Sequence, residues 1–247
     1  SSSKVLLEEF LVGEEMSYFI IADKNGYKFF GSAQDHKRVG EKDTGPNTGG
    51  MGAYSPSLII GQELEIKIKK KIIEPTLNAL KKMNHPYIGF LYAGLMIVKN
   101  EPYLIEYNVR MGDPECQTIM ARLNSDLIDV VESTLSGKIS ELEISWNSKK
   151  SMCIVLCSNG YPGKFIKNIE IEGIERLNLD KEDLVLHAGT YEKKGKIYSN
   201  GGRVLNFITL SDKLLDARKK GNNLIKELNW KNGYFRKDIG WKKIKEI

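Results

Sequence analysis

Residues 89–110 read GFLYAGLMIVKNEPYLIEYNVR, and the reading of this stretch decides the fold. Two apolar, β-prone runs, 89–98 and 102–110, are joined by a turn around Lys99–Pro102, which is too short for anything but an antiparallel hairpin. The second run alternates. On strand geometry, Leu104, Glu106, Asn108 and Arg110 are expected on one face and Ile105, Tyr107 and Val109 on the other. A hairpin that carries charge on one face belongs to an antiparallel sheet, so the class expected is α/β in the loose sense (α+β).

Upstream, KVLLEEFL (4–11) reads as a buried strand and MSYFIIAD (16–23) as another. An Asn25–Gly26 turn then leads into a third strand, YKFFGSA (27–33). LEIKIKKKIIEPTLNALKKM (64–83) spaces its apolar residues for an amphipathic helix that Pro75 bends or splits. Downstream, helical patterns start near Asp113-Pro114 and Ser125-Asp126. A polar stretch, 138–150, separates them from the β-rich SMCIVLCS (151–158), further short strands and a final lysine-rich helix. Two units are expected, 1–140 and 141–247.

Composition narrows the function classes. Hydrophobic content of 41% and charged content of 28% are those of a globular domain. The longest nearly apolar run, 88–98, falls far short of the ~20 residues of a membrane helix. Three cysteines argue against a disulfide framework, so a reducing, cytoplasmic setting is expected, with Cys153 and Cys157 as small core residues. The net charge of +5 comes from residues 213–247, which hold eleven Lys/Arg and four Asp/Glu. A solvated helix face accounts for that excess, and no nucleic-acid or membrane partner is expected.

Glu106 and Asn108 form the sharpest chemical pair. A carboxylate and an amide oxygen two residues apart on one strand face can share a hard cation, with phosphate and water completing its shell. An ordinary solvated strand face has the same pattern. Arg110 stands where charge on a transferring phosphoryl group could be met. Glycines 45, 49, 50 and 52 crowd KDTGPNTGGMGAY (42–54), either as tight turns or where backbone approaches an anion. Gly201-Gly202-Arg203 offers a second such corner. His36 reads as a surface residue and His187 as a satisfied strand residue.

Taken together, EEFLVGEEMS, QDHKRVGEKDTGPNTGGMGAYSP, GFLYAGLM, IEYNVRMGDPECQ, HAGT, NGGRV and RKDIGW, in that order from residue 8 to 241, resemble the phosphoribosylamine–glycine ligase (glycinamide ribonucleotide synthetase) family of ATP-grasp enzymes. The resemblance implies the second half of an ATP-grasp domain followed by a small mixed α/β domain. It implies ATP as co-substrate with Mg²⁺ or Mn²⁺, and ligation of glycine to 5-phosphoribosylamine through a glycyl phosphate. By carry-over, Glu106 and Asn108 hold the metal, Arg110 and Asp113 are catalytic, and Glu8, Phe10, Leu11 and Glu15 face the adenosine. Asp43, Asn47, Thr48, Gly49, Gly50, Gly52 and Arg203 face glycine and the ribosyl phosphate. The family's amino-terminal domain and phosphate-holding lysines have no counterpart here. The chain is therefore expected to be a carboxy-terminal portion that associates with the missing part, the full-length enzyme being a monomer. The rival readings are a non-catalytic binding module and a nucleic-acid-binding protein using the basic helix.

Overall fold

The computed structural model describes residues 5 and 7–244. Strand β1 (Glu14–Ala22) pairs antiparallel with β2 (Tyr27–Asp35) across a turn fixed by Asp23, whose Oδ1 accepts the amides of Asn25 (2.7 Å) and Gly26 (2.8 Å). The run YFIIA at 18–22 is apolar throughout because both faces of β1 are buried. Tyr18, Ile20 and Ala22 meet Leu64, Ile68, Ile72 and Ile73, while Phe19 and Ile21 pack with Phe30, Ile119, Val130 and Ile139.

A short hairpin, β3 (Arg38–Gly40) and β4 (Thr44–Asn47), precedes β5 (Gly52–Ser55). Helices α1 (Gln62–Ile68) and α2 (Glu74–Lys82) are joined by a π turn, Lys69–Ile73. Pro75 follows at the head of α2, where its missing N–H leaves a gap in the helical ladder that a widened turn absorbs. The expected hairpin is β6 (Gly89–Val98) and β7 (Glu101–Asn108), with Lys99 and Asn100 as its two left-handed turn residues (φ 49° and 63°). Next come α3 (Glu115–Met120) and α4 (Leu127–Leu135), the latter capped by the Asp126 carboxylate on the Ile128 amide at 2.7 Å.

After the irregular stretch 136–149 come β8 (Lys150–Ser158), β9 (Glu170–Ile171), β10 (Leu184–His187), β11 (Thr190–Lys193), β12 (Lys196–Ser199) and β13 (Arg203–Ser211). Helix α5 (Leu214–Glu227) and β14 (Gly233–Tyr234) complete the order. Nine of these strands make one sheet, β10-β13-β8-β5-β2-β1-β6-β7, with β14 also on β8. The short, fully buried β5 pairs with β2 on one side and β8 on the other, so main-chain hydrogen bonding runs unbroken past the expected boundary at 140/141.

Three expectations are corrected. The strand read over 4–11 does not form among the described residues 5 and 7–11, which are irregular, with Val5, Leu7 and Phe10 87–91% exposed; Lys4 and Leu6 lie outside the described residues. The shared face of β7 is interrupted. Ile105 is an extra residue between the pairs Leu95↔Leu104 and Gly94↔Glu106, so Leu104 falls on the side of the buried Leu95 and Glu106 on the other. Arg110 lies past the strand end. His36 is buried, not on the surface, because the segment around Gly240 covers it.

Candidate functional site

Two adjoining cavities, of about 250 and 170 Å³, open between β1, β2, β6 and the loop after β2, and share Glu15, Asp35, Lys37 and Met96 in their walls. Glu106 and Ile105 of the edge strand line the smaller cavity, and Asn47 and Lys242 the larger. The β7 bulge makes this arrangement. It leaves Glu106 and Asn108 on the cavity side, opposite Gly94 and Tyr92, while Tyr107 turns its hydroxyl to Thr76 (2.8 Å) and the Ile72 carbonyl (3.1 Å). The Asn108 amide donates to Glu106 Oε1 at 3.0 Å, so the expected pair does share one face.

Charged groups crowd the floor. Lys37 Nζ pairs with Glu15 at 3.0 Å. Glu115 is 3% exposed, and Ser17 Oγ lies 3.0 Å from both its Oε1 and the Tyr92 hydroxyl. Burial raises the Asp35 carboxyl well above the usual carboxylate range and nearby Glu115 raises it further, against the opposing charge of Lys37. Burial lowers the Lys37 ammonium, but the surrounding carboxylates, Asp35 first, outweigh it and leave it raised. A half-buried acid thus stands beside a cation and near the exposed Glu106 carboxylate.

A second cluster gathers the glycine loop. Arg203 Nη1 donates to the carbonyls of Gly49 (2.7 Å) and Asp113 (3.0 Å), and Nη2 pairs with the Asp113 carboxylate at 2.8 Å. The Gly49 amide donates to the Tyr161 hydroxyl at 2.9 Å. Thr48 is tied to the Lys37 carbonyl through its amide (2.7 Å) and its hydroxyl (2.8 Å). The glycines let the protein approach itself. Gly50 sits at φ +113° where a Cβ would lie 2.5 Å from Pro114 Cδ, and a Cβ on Gly52 would lie 2.6 Å from the Cys153 carbonyl oxygen.

Some expected site residues stand apart. Glu8, Phe10 and Leu11 belong to the irregular segment before β1, with Glu8 and Phe10 exposed. Arg110 is exposed and donates to the Met111 carbonyl at 2.9 Å. The Asp43 carboxylate is taken up by Arg236 (2.9 Å) and Lys242 (2.9 Å). Asp35, Lys37, Glu115 and Tyr161 were not picked out from sequence. The charged QDHKR stretch was the available signal for the first two; nothing local marks Glu115 or Tyr161. In the lysine-rich α5, Lys220 is engaged by Asp180 (2.8 Å) and Asp183 (3.1 Å).

The model of the phosphoribosylglycinamide synthetase ATP-grasp (A) domain matches residues 1–116, and that of the C domain of the same synthetase matches 151–242. The chain is 42% identical over 244 residues to the phosphoribosylamine–glycine ligase of Brucella melitensis, and 43% identical over 244 residues to that of Agrobacterium fabrum. Each alignment covers 99% of this chain and 57% of the relative, so the chain spans a little over half the length of the proteins it matches. The crystal structure of the Thermotoga maritima phosphoribosylamine–glycine ligase superposes with a TM-score of 0.82 at 33% identity, covering 94% of this chain and 57% of that one.

Proposed function

Because the chain belongs to the phosphoribosylglycinamide synthetase family, with the A-domain model matching 1–116 and the C-domain model 151–242, we propose that it supplies one wall of the active site of an ATP-dependent ligase joining glycine to 5-phosphoribosylamine. The observation that carries this reading is the pair Glu106 and Asn108, held on the cavity side of an edge strand beside Lys37.

The pair fits a divalent cation. Both side chains offer hard oxygen donors, and turning the Asn108 amide over would present its oxygen beside the Glu106 carboxylate. Among the described residues no group of three or more His, Cys, Asp or Glu is arranged for a metal, so a cation here would draw its remaining ligands from water and ATP phosphates. When bound, Mg²⁺ or Mn²⁺ neutralises phosphate charge. The chain's own groups do the rest. Lys37 places a positive charge at the junction of the two cavities, and Arg110, exposed just past the strand end and outside both cavity walls, would have to swing inward to meet the transferring phosphoryl group. Asp113 and the Gly49–Gly50 loop, braced by Arg203 and Tyr161, shape the side for glycine and the ribosyl phosphate. Glu15 and the segment with Glu8, Phe10 and Leu11 take the adenosine side. Association with an amino-terminal portion completes the enclosure that protects an acyl phosphate from water.

Glu106→Ala tests this in a ligation-competent protein carrying the chain. ADP release dependent on glycine and phosphoribosylamine should fall at least roughly 100-fold, as loss of a metal ligand implies. Because Glu106 is exposed, the melting temperature should be unchanged. Activity that survived the substitution would overturn the metal assignment.

A further inference from the structure

The motif RKDIGW at 236–241 is not used by the site as described, yet it reaches back some two hundred residues to the loop that borders the larger cavity. Arg236 is 0% exposed. Its Nε and Nη2 donate to the two oxygens of Asp238 at 2.8 and 2.9 Å, and its Nη1 donates to Asp43 Oδ1 (2.9 Å) and the Arg38 carbonyl (3.0 Å). Asp238 Oδ2 in turn accepts the Lys42 amide at 2.6 Å. The other Asp43 oxygen accepts from Lys242 Nζ at 2.9 Å and Trp241 Nε1 at 3.3 Å. The Tyr234 hydroxyl donates to the Val39 carbonyl at 3.0 Å, and the Gly240 amide to His36 Nε2 at 2.9 Å.

We infer that Arg236, acting through Asp43 and Asp238, is a positioning residue that holds the loop 38–48 in its site-forming conformation, and that Asp43 serves this anchorage instead of touching substrate.

Two independent observations carry the inference. Although Asp43 lines the larger cavity, both its oxygens are already occupied by donors from the 236–242 segment, so its lone pairs are directed at the protein. In addition, Lys42 and Asp43 are consecutive non-glycine residues in the left-handed region, at φ 54° and 58°. Such backbone persists only where its surroundings over-determine it. Here the determinants are the amide of Lys42 and the side chain of Asp43, and both end on the Arg236–Asp238 unit. The loop so fixed carries Asn47 into the cavity wall and Thr48 onto Lys37. A planar fork with four directed bonds, fully buried, does what a lysine could not.

The role of this loop in ligation rests on the function proposed above; its anchorage does not. Hydrogen exchange of the 247-residue chain tests the anchorage with Asp43→Asn and Arg236→Lys. Asp43 is partly exposed and Asp43→Asn leaves Arg236 paired with Asp238, so this variant keeps the test decisive if Arg236→Lys fails to fold. Amides of 38–48 should exchange at least about tenfold faster, with β8 and β13 unchanged. In a ligation-competent protein, Asp43→Asn should raise KM for glycine or phosphoribosylamine about tenfold with kcat within about threefold, the pattern of lost loop placement. Unchanged loop exchange overturns the inference, as does a loosened loop with KM unmoved. If the unsubstituted protein does not ligate, the proposed function fails, and the exchange comparison still decides the anchorage.

Discussion

Asp35 and His36 are adjacent, and burial pushes their titrations in opposite directions. His36 accepts the Gly240 amide on Nε2; burial first, then the Arg236 charge, lowers its pKa to about 4. Between the ordinary value near 6.5 and 4 the unfolded chain therefore binds more protons, and stability is lost as the pH falls through that window. The shift corresponds to about 3 kcal/mol. Urea midpoints measured from pH 7 to 4 should show that slope, and His36→Asn should flatten it. Asp35 has the reverse sign. Its carboxyl is raised, by burial first, from the ordinary value near 3.8 to about 7, so stability is lost as the pH rises through that window, and Asp35→Asn should raise the melting temperature at pH 8. Gly50→Ala should destabilise by roughly 1–3 kcal/mol, since the new methyl meets Pro114 at a positive φ. Of these residues only the glycine was legible in the sequence, as a position needing unusual backbone. His36 sits among charged neighbours and reads as exposed; what buries it lies near residue 240, beyond any local pattern.

At the scale of elements, the hairpin β6–β7 was legible because alternation and a two-residue turn are local properties. Its bulge was not. Leu104 and Ile105 are both apolar, so an alternating template fits them either way, and only pairing with the glycine at 94 reveals the extra residue. Deletion of Ile105 keeps both flanking pairs, Leu95↔Leu104 and Gly94↔Glu106. The shortened chain should fold, with β6 amide exchange unchanged; failure to fold would mean that the edge must be bent here. The helix 62–82 was legible from its apolar stripe, and the proline gave notice of a disturbance whose form, a widened turn, depends on how Ile72 and Ile73 reach the sheet. The strand read over 4–11 misled, at its described residues 5 and 7–11, for the converse reason. Its apolar residues predict a strand, and a strand needs a neighbour that the described residues do not provide.

For the whole molecule, order along the chain was legible through motifs, while the degree of division was not. A polar stretch at 138–150 reads as a linker, yet β5 joins the two halves by main-chain hydrogen bonds on both its edges. Unfolding should accordingly be one transition. Trp146 packs near Phe30 in the first half, while Trp230 belongs to the core beneath α5 and Trp241 lies against Asp43. Denaturation curves from variants retaining Trp146 alone or Trp230 alone should coincide; separated midpoints would establish two independent units.

The fastening of residues 36–43 by residues 234–242 also sets an order in time. On the ribosome the loop emerges first, and at ordinary elongation rates of roughly 5–20 residues per second its fasteners follow ten seconds or more later. Until then Lys42 and Asp43 have nothing to hold them in a left-handed conformation. A nascent chain that has not yet reached residue 242 can thus acquire most of its sheet and helices and still lack a finished cavity wall, so the clamp ties the wall to synthesis of residues 234–242.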